Sequence, residues 1–576
     1  MRNKEVAEQF YLIAQLLSLT DENPFKVRAY EKAAQVIESI PESIEDLAKD
    51  FDKLSSIPGV GKSIAEKIVE YLNTGKIQRL EELKKKFPNG IFEMLKIPGL
   101  GPKRVRILYE KLGVKDVNTL REYAQKGMLR GLPGFGEKVE KNIIEGIKFL
   151  STSQQRLLLF DAMKVVDEIL KELKKNKEII KIDPCGSLRR KKETIGDIDI
   201  LCCVFEGKEK QIIEKFTKLP IVKKVLACGE TKGSVITTAN VQVDLRVVPK
   251  DVYGAALQYF TGSKQHNIHL REIANKKGLT INEYGVFKID KKDKPICGKT
   301  EKEVYEVLGL EYIEPELRED RGEIEAALQR KLPHLIELKD IKGDTHIHSN
   351  YSDGANSIKE IADYAYKLGY EWIIICDHSQ SLKVAGGVDI KDLYKKIDEI
   401  RNLNKTSKVK ILCGQEVDIL SDGKLDYPDE VLKELDFVIA AIHTGFKQSE
   451  EQITERILKA MDNKYVHSIS HPTGRLLNKR SPYKVNITKI IEQAGKNGVM
   501  MEINAFPERL DLDDINSKYA KEHNVILSIG TDAHHISQMD YMILGVYVAR
   551  RGWLEKKNVV NTLSYEELIR FLKRRR

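Results

Sequence analysis

One short phrase recurs three times in the first 140 residues. It reads "IPGVGKSIAEKI" from Ile57, "IPGLGPKRVRIL" from Ile97 and "LPGFGEKVEKNI" from Leu132. Each copy is apolar-Pro-Gly-apolar-Gly followed by a helical pattern. After the first, Ile64, Ile68 and Leu72 recur at i, i+4 and i+8 and predict one buried helix face. Pro and Gly make the turn, and the turn leaves backbone N–H groups bare at the start of the helix, which is a seat for phosphate. A single copy would say little, since helix pairs often use Gly as a plain cap. Three copies, each with basic residues after the turn, point to duplex-backbone binding through Gly59, Gly61, Gly99, Gly101, Gly134 and Gly136. This part of the chain is therefore expected to be helical hairpins.

Each copy resembles the helix-hairpin-helix motif of DNA repair and replication proteins. At 576 residues the chain is too long for one core, so three or more domains are expected. The net charge of +9 hints at an anionic partner. The start "MRNKEVAEQF" is no signal peptide, and the longest uncharged apolar run, Phe10 to Thr20, is too short to span a bilayer. Seven scattered cysteines without a CxxC pair fit reduced, buried thiols and a cytoplasmic location.

Beyond residue 150 the pattern changes. A long amphipathic helix leads into the strand-like runs "IDILCCVF", "KKVLACG", "GSVITT" and "VQVDLRVV". In "GSLRRKKETIGDIDIL", Asp197 and Asp199 alternate with Ile198 and Ile200. On a strand the two carboxylates share a face while the isoleucines pack behind. Paired carboxylates repel unless a cation lies between them, and a hard divalent ion with oxygen ligands suits them. Asp244, embedded among apolar residues in "VQVDLRVV", is a third candidate. Three carboxylates on a sheet hold about two Mg²⁺, enough to activate a 3′-hydroxyl and carry a nucleotide triphosphate. Gly186, Ser187 and Arg190 would face the phosphates.

Together with "VQVDLRVVPKDVYGAALQYFTGSKQHNIHLR" and "GLTINEYGVF", this segment closely resembles family X DNA polymerases, the group of DNA polymerase beta, over roughly residues 1–320. The resemblance implies that Asp197, Asp199 and Asp244 are the catalytic metal ligands. It implies that Gly186, Ser187, Arg190 and Arg156 bind the triphosphate, and that Tyr259, Phe260 and Gly262 form the pocket for the incoming sugar. Asn267 and Arg271 match positions that check the nascent pair from the minor groove. Lys264 stands where the family has an acidic residue. In the first hairpin, Lys67 matches the lysine that forms a Schiff base with an abasic sugar, which implies 5′-deoxyribose phosphate lyase activity. Lys26 matches a phosphate contact of that pocket, and Phe25 replaces a histidine there. A solvated helix lysine is an equal reading of Lys67.

A polar stretch, Glu314 to Pro333, reads as the connector to the C-terminal region. After it, nine of the twelve histidines fall between residues 341 and 576, where short apolar strands alternate with helical stretches as in an α/β barrel. His346 and His348, two apart in "DTHIHSNYSDG", share one face of a strand. Asp353, His378, Glu416, His443, His471, Asp532 and His534 come later, near predicted strand ends. One buried histidine is ordinarily just hydrogen-bonded, but so many His and carboxylate groups ending separate strands suit Zn²⁺ or Mn²⁺ hydrolytic chemistry. The set closely resembles the PHP domain (polymerase and histidinol phosphatase), which implies a distorted (β/α)₇ barrel, about three metal ions and a 3′→5′ exonuclease, with AP endonuclease or 3′-phosphatase activity in some members. His467, His523 and His535 fall outside the pattern and read as support or surface.

The expected architecture is multidomain α+β and α/β. It comprises a helix-hairpin-helix domain over 1–85, a second over 86–150, a nucleotidyltransferase palm over 151–262, a base-pair-binding subdomain over 263–320, a linker over 321–340 and the PHP barrel over 341–576. The expected function is short-gap filling in DNA repair with proofreading or end cleaning, acting on gapped or primer-template DNA and deoxynucleoside triphosphates, as a monomer and without a membrane. The alternatives are a small-molecule phosphoesterase with a DNA-binding N-terminal part, and a DNA-binding protein with dead sites. The "YFTGS" pocket argues against the first and the intact ligands against the second.

Overall fold

The computed structural model describes residues 3–574 apart from positions 21, 41, 96, 98, 99, 138, 141, 142, 145, 148–155 and 291–293. The chain divides into two compact units, Met1–Gln155 and Arg156–Arg576. No helix among the described residues is long and apolar enough to cross a membrane.

The first unit is helical around one apolar core that includes Phe10, Ile13, Leu16, Ile68 and Leu108. In the helix Lys62–Thr74 the buried residues are Ala65, Ile68 and Tyr71. Ile64 and Leu72, expected at the centre of that face, flank it half-buried. A stripe wider than one residue makes both spacings possible, and only the neighbours decide its centre. Truncating Ile68 to Ala would cost about 2–5 kcal/mol.

The second unit begins with β1 (Leu157–Leu158), which pairs antiparallel with the later β3 (Thr194–Ile195). Its five-stranded sheet is ordered β2 (Ile179–Pro184), β4 (Asp197–Val204), β7 (Gln242–Val247), β6 (Lys232–Thr237), β5 (Val222–Cys228). The helix Leu159–Leu173 packs its apolar stripe, Ala162, Val165, Val166 and Ile169, into the same core as Ile198 and Ile200. A small hairpin, β8 (Leu279–Asn282) and β9 (Gly285–Lys288), comes next.

The polar stretch read as a connector is packed against its neighbours. Leu317, Ile324 and Ala327 join an apolar cluster with Tyr305. Arg318 is fully buried on Glu301 at 2.6 Å, and Glu301 also receives both Arg189 end nitrogens at 2.8 and 2.6 Å. Buried charges persist only when paired in this way.

Seven parallel strands then run in sequence order: β10 (Gly343–Ile347), β11 (Trp372–Ile375), β12 (Lys410–Asp418), β13 (Phe437–Ala441), β14 (Ser468–Ile469), β15 (Met500–Asn504) and β16 (Leu527–Gly530). A parallel bridge between Ile347 and Ala533 brings the last strand back to the first. Strands covered on both faces read as continuous apolar runs, as "WIII" and "FVIAA" do. Within the second unit the barrel docks on the residues before it through ion pairs, and Arg551 also anchors to Asp514 of the barrel itself. Arg475 meets Glu193 at 2.7 Å, and Arg551 meets Glu319 at 3.0 Å and Asp514 at 2.6 Å.

Candidate active sites

In the palm, β4 and β7 lie side by side and parallel, and Asp199 is the register partner of Asp244. Asp197 sits two residues back on the same face and is exposed, while Ile198 and Ile200 are buried behind. Burial, reinforced by the charges of Asp197 and Asp244, pushes Asp199 up to about 6. Asp244 goes the other way. Burial opposes its charge, but Lys232 at 2.7 Å, Ser234 at 2.5 Å and Gln242 at 3.0 Å hold it below the usual carboxylate range. Lys232 had no signal in the sequence, since it lies on β6 and reaches Asp244 only through sheet pairing. Gly186 has φ +60°, and a Cβ there would stand 3.0 Å from Asp199 Oδ2, so Gly keeps the space over the carboxylates open.

The other predicted nucleotide residues are less uniform. Arg156 donates to Thr194 Oγ1 and O at 3.0 and 2.8 Å, which sets it against Gly196 beside Asp197. Ser187 is half-buried next to Gly186. Arg190 is engaged within the chain: it pairs with Glu319 at 3.1 Å and donates to Thr261 O at 2.5 Å. Tyr259 and Phe260 pack edge to face, 5.2 Å between centroids, with the Arg246 guanidinium 4.7 Å from the Phe260 ring. Gly262 comes next at φ +69°. Asn267 accepts from Gln258 and donates to Tyr259 O, both at 2.8 Å, while Arg271 is exposed on the helix Lys264–Lys276.

All nine ligand candidates of the barrel lie in or just beyond the C-terminal ends of strands, where loops of a parallel barrel converge. Their donor atoms form three groups, each within 4.8 Å: His346, His348 and Asp532; His378, Glu416 and His443; and His348, Asp353, His378 and His534. His471 Nε2 lies 3.0 Å from Glu416 Oε1 and completes the set.

The residues fit metal. His348 Nδ1, His378 Nδ1 and Glu416 Oε2 are buried without a hydrogen-bond partner among the described residues. His378 Nδ1 and Glu416 Oε2 are 2.8 Å apart yet not aligned as a hydrogen bond, as two ligands aimed at a common point would be. Burial and its cationic neighbours hold His348 down at about 3, neutral and able to ligate. Asp353 sits at about 2, where His534 and His348 outweigh burial.

Three supporting residues escaped the sequence reading. Glu502 receives His346 Nδ1 at 2.7 Å, and Asp418 receives His443 Nδ1 at 2.5 Å, which leaves Nε2 of each imidazole facing the centre. Asn504 donates to Asp532 Oδ2 at 3.1 Å. Glu502 had a readable signal: it is a lone carboxylate in the apolar strand "MMEIN".

In the first unit the three turns share one geometry. The residue after the first glycine donates back to the opening apolar residue: Val60 to Ile57 at 2.8 Å, Leu100 to Ile97 at 3.0 Å and Phe135 to Leu132 at 3.0 Å. Gly59 and Gly134 have φ +92° and +78°, which an L side chain resists. Gly99 lies outside the described residues. Gly61 and Gly101 have ordinary φ, −73° and −72°, and a Cβ on either, or on Gly136, would meet nothing within 4 Å. Their missing side chains leave room for an approach from outside the unit. Lys67 is half-buried, its Nζ donating to Ser63 O and Oγ at 3.0 Å, in a cleft of about 480 Å³ lined also by Lys26, Tyr30 and Arg79. Lys26 pairs with Glu22 at 3.2 Å, and Phe25 is 75% exposed.

Family profiles match along the chain: a helix-hairpin-helix domain over residues 1–77, a helix-hairpin-helix tandem over 91–148, a DNA polymerase beta palm over 160–264, a DNA polymerase beta thumb over 256–319 and a PHP domain over 344–506. Asp532 and His534 lie beyond the PHP match and are returned to it by β16. Rat DNA polymerase lambda is 24% identical over 343 residues, 55% of this chain and 56% of its own. A probable phosphatase of Thermoanaerobacter sp. (strain X514) is 33% identical over 230 residues, 38% of this chain and 89% of its own. The DNA polymerase/3′-5′ exonuclease PolX of Bacillus subtilis (strain 168) is 41% identical over 577 residues, covering all of both chains. With that full-length match and the two unlike ligand sets on one chain, the protein belongs to the family X DNA polymerases that carry a C-terminal PHP domain.

Proposed function

We propose that this polymerase and 3′-5′ exonuclease divides its work between the two centres, with Asp197, Asp199 and Asp244 serving nucleotide addition and the nine barrel ligands serving 3′-end hydrolysis. The observation that carries it is the separation of ligands: three carboxylates on paired palm strands, nine His and carboxylate groups at barrel strand ends, and none in common. Divalent ions, when bound, neutralise charge on phosphoryl oxygens and lower the pKa of a coordinated hydroxyl or water. Mg²⁺ suits the all-oxygen palm set, and Zn²⁺ or Mn²⁺ suits the mixed barrel set.

The chain's own residues do the rest. Ser187 and the Gly186 amide offer hydrogen bonds to phosphate oxygens beside Asp199, and Arg156 stands next to Asp197. Arg190 takes phosphate only by exchanging Glu319. Phe260 and Tyr259 wall the sugar, and Asn267 and Arg271 face the new pair. The Gly61, Gly101 and Gly136 turns accept backbone phosphates and favour short gaps, where two flanking duplexes are held at once. Lys67, with Lys26 and Arg79 in its cleft, is placed to attack an abasic sugar as a Schiff-base amine.

Extension of a gapped primer and degradation of a labelled 3′ end, measured on Asp197→Ala and His346→Ala, test the division. Each variant should lose one activity and keep the other. Loss of both in either variant, or of neither, overturns it. For Lys67, borohydride should trap an adduct with abasic-site DNA that Lys67→Ala lacks; equal trapping in both removes Lys67 from the reaction.

A further inference from the structure

A cation that the ligand pattern does not use stands beside the barrel ligands. Arg509, in the loop after β15, places Nε 3.3 Å from Asp532 Oδ2. Its NH1 is buried and has no hydrogen-bond partner among the described residues. A buried N–H group is normally met by an acceptor, so an unmet one beside a reaction centre is a place for a ligand oxygen. Asp532 belongs with His346 and His348, whereas His471 sits on Glu416 with His378 and His443. The guanidinium thus stands against the group of His346, His348 and Asp532.

The mounting is rigid. The Arg509 N–H donates to Phe506 O at 2.8 Å, and its carbonyl accepts from Arg475 Nε at 2.9 Å. Arg475 is itself buried and tied to Glu193. The Phe506 N–H is capped by Asn504 Oδ1 at 3.1 Å. A planar fork held in this way matches phosphate oxygens, and it is strongest where charge grows on them during displacement.

We propose that Arg509 binds the scissile phosphate of a DNA 3′ end in the PHP centre. The inference rests on the exonuclease reading of that centre, and its test separates the two. In the full chain, Arg509→Gln and Arg509→Lys are compared with the parent protein by three measurements: metal content by elemental analysis, inorganic phosphate binding by calorimetry on the metal-loaded protein, and 3′-end degradation. Expected are unchanged metal content, phosphate binding weakened about tenfold or more in Arg509→Gln, and degradation reduced about 10²-fold, as for loss of one charge-stabilising donor. Arg509→Lys should recover part of both, and gap filling should persist throughout. Loss of metal from Arg509→Gln would make the residue a support of Asp532 and overturn the proposal. Unchanged phosphate binding and degradation would also overturn it, while a parent protein that degrades no DNA would remove the exonuclease reading and this inference together.

Discussion

The palm and the barrel both place ligands on parallel strands, yet they handle like charge in opposite ways. In the palm, three carboxylates lie on one open face, and burial and their mutual repulsion push Asp199 up to about 6. Lys232 pairs with Asp244 at 2.7 Å, and its charge and that of Arg246 only partly offset the rise at Asp199. In the barrel, imidazoles are interleaved with carboxylates, so that Glu416 alone has His378, His443 and His471 within 3.5 Å, and His346 and His348 are fully buried. A site of carboxylates alone is completed by cations that arrive with the nucleotide. A site whose donors are paired, oriented by Glu502 and Asp418 and for the most part buried suits resident ions.

The largest test of that contrast is removal of one ligand from each site. Asp244→Ala should lower nucleotide addition by about 10³-fold or more, because electrostatic stabilisation of the transferring phosphoryl group is the main work of the site. His346→Ala should lower 3′-end degradation by a similar factor and unseat at least one ion by elemental analysis. Either variant losing both activities would break the separation.

Removal of metal comes next. After brief chelation and gel filtration, polymerisation should vanish and return at once with Mg²⁺. Exonuclease should survive the same treatment substantially, because most of its ligands are buried; parallel loss would make the two sites equally labile.

The residues behind the ligands should matter less than the ligands do. Glu502→Gln and Asp418→Asn should reduce metal affinity or exonuclease activity by about 10–100-fold, since each partner fixes one imidazole. No change in either would mean that ring orientation is set by packing alone.

The smallest effect concerns pH. Below about 6 Asp199 takes a proton in the metal-free site, and a neutral carboxyl is a poor ligand, so Mg²⁺ affinity should fall as pH falls through that value. Lys232→Ala removes a hydrogen bond that holds Asp244 low, so Asp244 should protonate at higher pH and the acid limb of polymerisation should shift upward by a fraction of a pH unit. A downward shift would contradict the pairing. Mg²⁺ titrations of both proteins across pH 5 to 8 read the two effects together.

Much of both sites was legible because their chemistry is local in the chain. Asp197 and Asp199 alternate on one strand, and His346 and His348 do the same, so side-chain period alone put each pair on a face. Arg190 shows where that reasoning stops. Its place next to Gly186 and Ser187 made it a candidate phosphate ligand, whereas its partner within the chain, Glu319, lies 129 residues away and had no local signal. The packing of the charged stretch around Arg318 was unreadable for the same reason: Arg318 is satisfied by Glu301, and composition cannot distinguish a solvated charge from a buried, paired one.

Residue type and spacing by themselves determined the helical hairpins, the palm strand with its carboxylates, and the alternation that builds the barrel, because each depends on short-range periodicity and turn chemistry. Only the tertiary structure decided which ligands share a metal group, that Lys232 meets Asp244, that Glu502 and Asp418 aim two imidazoles, that Arg509 looks into the centre, and that the barrel docks on the palm through Arg475 and Arg551. Those contacts join residues far apart in sequence. Their energies come from desolvation and charge pairing, which exist only once the chain has folded and excluded water from between them.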